Sequence, residues 1–346
     1  MRLTKITRQG FFLVQFLIAF LALSATAQPG GTEQSLLMDV RKIWDVGKHN
    51  AFTDLIRWHD AWWCTFREAD GHVGGDGKIR VITSADGQEW KSAALVAEKD
   101  IDLRDPKFSV TPDDRLMIVC GGSVYLGTTK IKGRQPRVLF SKDGTTWTEP
   151  RKVLGEWDWL WRVTWNNGKA YGVSYNTSND KQRNWVLDLC CSSDGLQWDI
   201  VCKLEVTGRP NETTLRFLEN GDMMAMVRRE ADNQKGWIGV AKAPYKEWKW
   251  QENKYQFGGP NFIQLPDGSF VAGTRDYTSK PKCTTLIAKM TPEDLQPIIT
   301  LPSGGDTSYP GLVWRDGILW VSYYSSHEGN ACVYLAKVKM PVGSAR

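Results

Sequence analysis

The sequence predicts an all-β fold, a six-bladed β-propeller of four-stranded antiparallel blades. An apolar strand, a tight polar turn and a second apolar strand recur six times, with successive turns about 50 residues apart. Short strands at even spacing, separated by turn residues, are typical of all-β folds. Because a repeat of about 50 residues can hold two hairpins, and therefore four strands, each copy has the size of one propeller blade.

The polar turns define the first hairpin of each blade. Four of the six are Asn-Gly or Asp-Gly dipeptides, which favour the left-handed backbone of tight hairpin turns. In chain order the predicted hairpins span residues 55–66, 108–120, 163–175, 215–227, 262–273 and 312–324, and they turn at Asp60, Asp113, Asn167, Asn220, Asp267 and Asp316.

A second repeat lies between these hairpins. The pattern Ser-x-Asp-Gly-x-x-Trp occurs at residues 84–90, 141–147 and 192–198, and a degenerate copy is predicted at 243–250. The aspartate and the serine can accept hydrogen bonds from the turn's own backbone, the glycine supplies a positive φ, and the tryptophan can pack against the hairpin. We therefore expect this repeat to be structural and to close the outer hairpin of a blade.

The two ends of the chain indicate how the ring closes. Residues 36–46 form an apolar strand before the first hairpin, whereas the last unit has only residues 331–338 after its hairpin. The N-terminal strand is therefore expected to complete the last blade. Two β-sandwich domains are the alternative, but six evenly spaced units favour a single domain over residues 28–346.

Residues 1–27 have the composition of a signal peptide. Basic residues precede an apolar run over residues 11–23, and Ala25-Thr26-Ala27 matches the small-residue cleavage pattern. The apolar run is shorter than the roughly 20 residues that a membrane-spanning helix needs. We therefore predict cleavage after Ala27, no membrane insertion of the mature chain, and a secreted or periplasmic location.

Charge and cysteine content argue against several classes of function. The formal net charge is +5 with the basic leader included, so no strong field favours nucleic acid as a partner. The seven cysteines lack the two-residue spacing typical of zinc sites, and we expect no metal and no cofactor. A monomer is expected as well. A disulfide from Cys202 to Cys190 or Cys191, across a predicted hairpin, is the less favoured alternative to free thiols.

One face of the predicted ring collects polar residues. In an antiparallel hairpin the start of the first strand and the end of the second lie on the same side. The strand starts offer Thr53, Asp54, Asp105, Arg162, Asn211, Glu212, Asn261, Asp306 and Tyr309, and the strand ends offer Arg67, Glu68, Tyr175, Asn176, Arg228, Arg229, Glu230, Arg275, Asp276, His327 and Glu328. Because the other face presents only turn residues, we expect the pocket on the polar face.

Two segments on this face resemble segments of sialidases. Residues 211–221, followed by 223–228, resemble the segment in which a glutamate opens a strand and an arginine ends its partner strand. Residues 306–312 resemble the segment that carries the nucleophilic tyrosine, and the Ser-x-Asp-Gly-x-x-Trp repeat resembles a shortened Asp-box. The resemblance implies that Tyr309 is the nucleophile and Glu212 its base partner. It also implies that Arg228 and Arg275 bind the substrate carboxylate.

The first blade departs from the sialidase pattern. Sialidases open this blade with an arginine inside an Arg-Ile-Pro segment, whereas this chain has Ala51-Phe52-Thr53-Asp54-Leu55 and so lacks the first of the three arginines. Arg67, at the end of the partner strand, is the candidate replacement, although its neighbour Glu68 could neutralise it. Arg162 and His327 are further candidates for substrate binding, because both are placed on the pocket face.

The general acid has several candidates. In sialidases it is an aspartate in the loop after the first hairpin, where this chain offers Asp70, His72 and Asp76. Asp54 and Asp105, at strand starts, are rivals for the same role. Spacing singles out none of the five.

These residues favour an exported glycoside hydrolase of the sialidase type that removes terminal sugars from glycans. A neutral tyrosine, activated by a glutamate, attacks an anomeric carbon beside a carboxylate more readily than an anionic carboxylate does. The sugar is expected to be sialic acid or another acidic or deoxy sugar, since one arginine is missing. The alternatives are a non-catalytic carbohydrate-binding propeller and a polysaccharide lyase that uses a tyrosine and a histidine on a uronate.

Overall fold

Six four-stranded antiparallel sheets make up the described part of the chain. The computed structural model describes residues 36–75, 77–127, 129–178, 185–279 and 281–341, which lie within one compact unit, Thr32–Arg346. The predicted six-bladed β-propeller is confirmed. The predicted signal peptide, residues 1–27, lies outside the described residues. None of the described residues belongs to a helix long and apolar enough to cross a membrane.

The described residues form 24 strands, and the blades follow one another in chain order. Blade 1 consists of β2 (His49–Trp58), β3 (Ala61–Ala69), β4 (Lys78–Ser84) and β5 (Lys91–Val96); blade 2 of β6 (Asp102–Val110), β7 (Leu116–Leu126), β8 (Lys130–Ser141) and β9 (Arg151–Lys152); blade 3 of β10 (Asp158–Asn166), β11 (Lys169–Asn176), β12 (Val186–Ser192) and β13 (Asp199–Leu204). Blade 4 consists of β14 (Pro210–Phe217), β15 (Met223–Arg229), β16 (Lys235–Ala241) and β17 (Trp248–Gln256); blade 5 of β18 (Asn261–Gln264), β19 (Phe270–Asp276), β20 (Thr284–Met290) and β21 (Leu295–Leu301); blade 6 of β22 (Thr307–Arg315), β23 (Ile318–Ser325), β24 (Cys332–Lys339) and β1 (Leu37–Trp44).

The first strand of each blade lies innermost. Strands β2, β6, β10, β14, β18 and β22 contact their counterparts in the neighbouring blades and surround one axis. Each inner strand runs from the face where it begins, which we call the upper face, to the face where the first hairpin turns, which we call the lower face. The upper face is the one that the sequence predicts to carry the pocket.

The ring closes through strands from both ends of the chain. Strand β1 pairs antiparallel with β24, from Leu37 opposite Val338 to Trp44 opposite Val333. Blade 6 therefore holds the N-terminal strand beside three C-terminal ones, as predicted. Separation of the first and last blades would require β1 to leave this sheet, so the pairing stabilises the whole ring.

Aromatic side chains fill the spaces between neighbouring blades. Trp62 of blade 1 stacks on Trp320 of blade 6, with ring centroids 4.3 Å apart. Trp63 of blade 1 reaches the outer turn of blade 2, where a Cβ added to Gly144 would lie 2.2 Å from its ring. Burial of a large apolar side chain contributes about 1.5–3 kcal/mol, so contacts of this kind hold each blade to the next.

The three copies of Ser-x-Asp-Gly-x-x-Trp form the predicted outer turns. In the second copy, Asp143 Oδ1 accepts two hydrogen bonds of 2.7 Å from backbone N–H groups that follow it. Gly144 N donates to Ser141 Oγ at 2.8 Å, and Trp147 Nε1 donates to Gly144 O at 3.0 Å. The aspartates of the other two copies accept equivalent backbone bonds. The repeat therefore satisfies its own backbone, which is a structural role.

The degenerate copy is displaced from its predicted position. Trp248, and not Trp250, donates its Nε1 hydrogen to the carbonyl oxygen three residues earlier, that of Tyr245, at 3.0 Å. Tyr245 stands in the place of the glycine and has a φ of 65°. This turn therefore spans residues 242–248 and lacks both the serine and the aspartate.

The cysteines are free thiols, so the alternative of a disulfide at Cys202 is wrong. The register of β12 with β13 sets Cys202 opposite Leu189, and Cys190 opposite Ile200. Cys202 Sγ instead donates to the carbonyl oxygen of Tyr245. The two strands thus pair out of the register that would bring two thiols together.

Candidate active site

The inner strands share an irregularity near the upper face. In five of the six inner strands that the structure describes, two residues are left without a partner in the second strand. The register shifts fall between Ala51 and Asp54, Arg104 and Lys107, Leu160 and Val163, Pro210 and Thr213, and Ser308 and Gly311. We call the ten residues between these positions the bulge ring: Phe52, Thr53, Asp105, Pro106, Trp161, Arg162, Asn211, Glu212, Tyr309 and Pro310. A β-bulge re-aims side chains and is over-represented next to active sites.

Three residues of the bulge ring adopt a backbone conformation that favours glycine. The φ angles of Phe52, Asp105 and Tyr309 are 66°, 52° and 55°. A side chain in this region costs roughly 1–2 kcal/mol, and such strain clusters at functional sites. In blade 5 the corresponding position is Gly259, with a φ of 58°, where an added Cβ would lie 2.7 Å from the Tyr309 ring. The glycine therefore makes room for the tyrosine.

Tyr309 and Glu212 form the centre of the site. Tyr309 Oη donates to Glu212 Oε1 at 2.6 Å. The other carboxylate oxygen, Oε2, accepts from Arg228 Nη1 and from Gly259 N, both at 2.8 Å. Arg228 Nη1 also lies 3.3 Å from Tyr309 Oη. Both predicted partners are thus in direct contact although 97 positions separate them in the chain.

Burial and local charge fix the ionisation of this pair. Tyr309 and Glu212 are only 8% and 6% exposed. Burial, reinforced by the negative charge of Glu212, raises the pKa of Tyr309 well above its usual value. Burial alone would raise the pKa of Glu212, but Arg228 and the hydrogen bonds from Tyr309 and Gly259 hold it below its usual value. The pair therefore rests as a neutral phenol beside an ionised carboxylate.

Aromatic rings enclose the phenol. The ring of Phe52 lies 4.9 Å from that of Tyr309, at an interplanar angle of 66°. Trp161 lies 5.6 Å away in a similar edge-to-face arrangement. Such contacts fix the orientation of a ring and exclude water. The hydroxyl group of Tyr309 is therefore held towards Glu212.

Arg228 and Arg275 both lie beside Tyr309, as predicted, but neither guanidinium is without partners. Arg228 Nη2 forms an ion pair with Glu230 Oε1 at 2.6 Å. Arg275 donates to the carbonyl oxygen of Thr307 and, through Nη2, to Tyr324 Oη at 2.9 Å. The guanidinium carbon of Arg275 is 5.9 Å from the centroid of the Tyr309 ring. An incoming anion would have to compete with these existing contacts.

Asp105 is a buried carboxyl group of the bulge ring. Its Oδ1 is buried and has no hydrogen-bond partner among the described residues. Burial raises the pKa of Asp105, and the charge of Glu212 raises it further, against the opposing effect of Arg104 and Lys107. In turn the charge of Asp105 raises the pKa of Tyr309. Of the sequence candidates for a general acid, Asp105 is therefore the one that shares the environment of the nucleophile pair.

Lys107 supports the bulge ring from below. Its Nζ donates to the carbonyl oxygens of Phe52, Thr53 and Pro106 at 3.1–3.2 Å. These carbonyls belong to bulges and have no strand partner, so the ammonium group satisfies them. Burial lowers the pKa of Lys107 to about 8. No sequence pattern predicted this role, although Lys107 lies only two positions after Asp105, immediately before the predicted hairpin 108–120.

Two histidines and an aspartate form a cluster on the blade 1 side of Tyr309. His49 Nε2 and His72 Nδ1 lie 3.0 and 3.3 Å from Asp306 Oδ2, while Tyr324 Oη donates to Oδ1 at 2.9 Å. The hydrogen bonds from His49 and His72 hold the pKa of Asp306 below its usual range despite burial, which alone would raise it. Among the described residues, His49, His72 and Asp306 are the one group with the spacing to hold a metal ion. In the structure their hydrogen bonds to one another satisfy Asp306.

Arg67, the predicted replacement for the missing arginine, is buried in the protein and paired with other residues. Arg67 is fully buried, and its Nε donates to Asp102 Oδ1 at 2.7 Å. It also donates to the carbonyl oxygens of Gly71 and Gly74, and so positions the loop that carries His72. Arg67 therefore has structural contacts, and the predicted role in substrate binding does not agree with its position.

Glu68 does not neutralise Arg67 and does not face the site. Successive side chains of a strand point to opposite faces, so Glu68 turns outward, where Arg80 donates to it at 2.8 and 2.9 Å and Trp44 at 3.0 Å. Asp70, in the following loop, is exposed and pairs with Lys48 at 3.2 Å. Asp76 lies outside the described residues.

Three further candidates are placed away from Tyr309. Arg162, a member of the bulge ring, donates through Nη1 to both oxygens of Asp54, at 2.9 and 2.8 Å, and both residues are buried. Asp54 also accepts from the backbone of Phe108. His327 Nδ1 lies 2.9 Å from Ser325 Oγ, and its ring packs on Tyr334. The structure therefore brings none of these three candidates, Asp54, Arg162 and His327, to the nucleophile.

Other residues of the site were not predicted from the sequence. His49 begins β2, is buried and lies beside Asp306. Asp306 was predicted on the pocket face without a role, and Tyr324 only as the end of a hairpin. Their shared signal is position: each lies at the upper end of an inner or second strand in the two blades that meet where the ring closes.

Comparisons with known proteins bear on the fold. No protein-family model matches the chain, and a comparison with curated proteins found no match. A Dyadobacter fermentans protein of unknown function is similar in structure, with a TM-score of 0.76 and 19% identity over 88% of this chain and 99% of that one. A mutant alpha-L-arabinofuranosidase from Fusarium graminearum, in complex with an iminosugar inhibitor, gives a TM-score of 0.66 and 14% identity over 88% and 98%.

A sialidase is also among the similar structures. Trypanosoma rangeli sialidase gives a TM-score of 0.67 and 10% identity over 84% of this chain, which spans 55% of the sialidase chain. At these identities the likeness concerns the path of the backbone. The chain therefore has the six-bladed propeller fold that these two glycoside hydrolases also have.

Proposed function

We propose that this protein is a glycoside hydrolase in which Tyr309 is the nucleophile and Glu212 its general base. The observation that carries the proposal is the 2.6 Å hydrogen bond from Tyr309 Oη to a Glu212 carboxylate that Arg228 and Gly259 orient. A phenol is a weak nucleophile until a base removes its proton. The pair rests in the charge state that this step requires, with the phenol neutral and the carboxylate ionised.

The reaction has two steps that conserve atoms and charge. Tyr309 Oη attacks the anomeric carbon as its proton passes to Glu212 Oε1, and the glycosidic C–O bond breaks as its oxygen takes a proton from Asp105. Water then attacks the same carbon as it gives a proton to Asp105, and the Tyr309–carbon bond breaks as the phenol oxygen recovers its proton from Glu212. Two displacements retain the configuration of the sugar. Arg228 Nη1, 3.3 Å from Tyr309 Oη, stabilises negative charge on the phenol oxygen in both steps.

The contacts of Arg228 favour a sugar without a carboxylate. Arg228 is bound to both Glu212 and Glu230, and the segment 51–55, where the resemblance implies a third arginine, contains none. A substrate carboxylate would meet two glutamates and would have to displace one from Arg228. A neutral terminal sugar, such as a deoxyhexose or a pentose, requires no such exchange.

The cluster of Asp306, His49 and His72 offers hydrogen-bonding groups for sugar hydroxyls. The side chains of Asp306 and His72 are 34% and 47% exposed, so a substrate can reach them. A carboxylate flanked by histidines accepts from a hydroxyl on one side and leaves a ring N–H to donate on the other. We therefore place the non-reacting hydroxyls of the terminal sugar on this side of Tyr309.

The test is release of sugar from a panel of chromogenic deoxyhexosides, arabinofuranosides, uronides and sialosides. We expect turnover of at least one neutral glycoside and a loss of roughly 10⁴-fold or more in Tyr309→Phe. Tyr323→Phe is the matched control, because its hydroxyl is buried in the same strand pair without a partner among the described residues. The control is expected to keep its activity.

Other outcomes of these assays would contradict particular parts of the proposal. Full activity in Tyr309→Phe would reject the nucleophile, and turnover of sialosides alone would reject the charge argument. An unsaturated product from a uronide would favour the polysaccharide lyase. Binding of oligosaccharides without turnover of any substrate would favour a carbohydrate-binding propeller.

A further inference from the structure

A cavity lies on the axis, below the bulge ring and towards the lower face. Its volume is about 340 Å³. All six blades contribute to its lining, through Asp54, Ser109, Arg162, Arg216, Asn261 and Leu312. Arg162 belongs to the bulge ring itself, and the other lining residues of the bulged strands follow the bulges, so the cavity is on the opposite side of the bulge ring from the hydroxyl group of Tyr309.

Three residues that line this cavity carry buried hydrogen-bond donors without partners among the described residues. Arg162 Nε, Trp165 Nε1 and Ser109 Oγ are each buried and have no hydrogen-bond partner within the described part of the chain. The first two groups can only donate. A buried donor without an acceptor costs about 1–3 kcal/mol. Three such groups around one cavity indicate that an acceptor belongs inside it.

The charges of the lining do not balance. Arg162 is neutralised by Asp54, to which it donates at 2.8 and 2.9 Å. Arg216 donates only to neutral acceptors: the carbonyl oxygen of Leu215, Thr164 Oγ1 and Asn261 Oδ1. No carboxylate of the described residues lies within ion-pair distance of Arg216, so the lining carries one excess positive charge.

The surroundings of Arg216 oppose its charge. Burial and the neighbouring Arg162 lower the pKa of Arg216 to about 9, although Asp54 acts in the opposite direction. A water molecule could accept hydrogen bonds here but could not balance the charge. An anion does both.

We propose that the axial cavity binds one small monovalent anion of the halide class, held by Arg216 and by the free donors that surround it. Asp54 excludes anions of higher charge, because its carboxylate lies in the same lining. Since all six blades contact the cavity, the bound anion joins them at the axis and stabilises the closed ring. This site is independent of the proposed glycoside hydrolysis, which takes place above the bulges.

Anomalous diffraction tests the position of the anion. Crystals of the unmodified protein, grown or soaked in sodium bromide and measured at the bromine edge, are expected to show a peak in the axial cavity within hydrogen-bonding distance of Arg216. A map with bromide at surface sites and none in this cavity would overturn the proposal. This measurement does not depend on whether any variant folds.

Thermal unfolding tests the effect of the anion in solution. At constant ionic strength, replacement of a large organic anion by chloride is expected to raise the Tm of the protein by roughly 2–4 °C, with saturation. Arg216→Met should lose this response, whereas Arg315→Met, which removes an exposed arginine that pairs with Asp316, should keep it. A rise that does not saturate, or that survives in Arg216→Met, would contradict a specific site.

Discussion

The bulge ring and the outer turns both contain residues with a positive φ, but the residue types differ. In the outer turns a positive φ falls on Gly87, Gly144 and Gly195, at 75°, 74° and 76°. In the bulge ring it falls on residues with large side chains, among them Asp105 and Tyr309. Glycine accepts this conformation at no steric cost, whereas a side chain there stores strain. The difference separates turns that only shape the blade from positions that hold reactive groups on the axis.

The aspartates of the two regions differ in the same sense. Asp143, in an outer turn, accepts backbone hydrogen bonds that lower its pKa. Asp105, in the bulge ring, is buried with one oxygen unpartnered among the described residues, and its pKa is raised. The turn therefore stabilises the ionised carboxylate, while the bulge ring favours the protonated acid that a leaving group needs.

The largest expected difference between the two regions is the effect of an Asp→Asn substitution on the rate of hydrolysis. In Asp105→Asn, hydrolysis of glycosides with a poor leaving group should fall by roughly 10²–10⁴-fold, because the proton donor is gone. For aryl glycosides with an acidic phenol as leaving group, kcat/KM, which reports only the first step, should be affected much less, whereas kcat should still fall because Asp105 also takes the proton of water in the second step. In the unmodified enzyme kcat/KM should fall as pH rises through the raised pKa of Asp105, and the variant should lose this alkaline limb. Steady-state kinetics on both substrate types against pH measure these effects.

Asp143→Asn is the matched control for that experiment. It makes the same chemical change in an outer turn and is expected to leave the pH profile intact. An alkaline limb that persists in Asp105→Asn would assign the acid to another group, and His72 would become the strongest remaining candidate.

The next largest effect is expected for stability in an outer turn. Gly144→Ala places a methyl group 2.2 Å from the Trp63 ring at a positive φ, so strain and overpacking should lower the free energy of unfolding by about 3 kcal/mol. Gly168→Ala is the control, since its φ of 78° is similar but no atom lies within 4 Å of the added carbon. It should cost only about 1 kcal/mol. Denaturant titration of both variants measures the difference, and equal losses would show that the contact with Trp63 contributes nothing.

The sequence predicts those parts of the molecule that depend on local patterns. Six polar turns at even spacing define the blades, and residues 36–46 were correctly assigned to blade 6 because the last unit lacked a strand. Strand order is enough for these conclusions, and it also places Tyr309 and Glu212 on the same face of the ring. That these two residues form a pair was implied by the resemblance to sialidases and not by strand order.

Other parts depend on contacts that a sequence does not encode locally. Arg67 and Glu68 are neighbours, but the alternation of the strand sends one into a buried pair with Asp102 and the other outward to Arg80. His49 and Asp306 are 257 positions apart and meet only because the ring closes between blades 6 and 1. No dipeptide signal marks the bulges either, since their positive φ angles fall on residues that rarely adopt them.

The smallest effect, and the most direct test of the comparison, is a pair of Tm shifts of opposite sign. Asp105 has a raised pKa in the folded protein, so the stability of the protein falls as pH rises above about 4, the pKa of an unfolded aspartate. Asp105→Asn should therefore raise the Tm by roughly 2 °C at pH 7, and the gain should vanish below pH 4.

Asp143 has a lowered pKa, so its contribution to stability is present at neutral pH and is lost as pH falls. Asp143→Asn should lower the Tm by roughly 2 °C at pH 7, and the difference should shrink in acid. Differential scanning calorimetry of the two variants at pH 7 and pH 4 measures these shifts. A lowered Tm in Asp105→Asn would mean that the bulge ring does not disfavour the charge of Asp105, and the assignment of Asp105 as general acid would lose its physical basis.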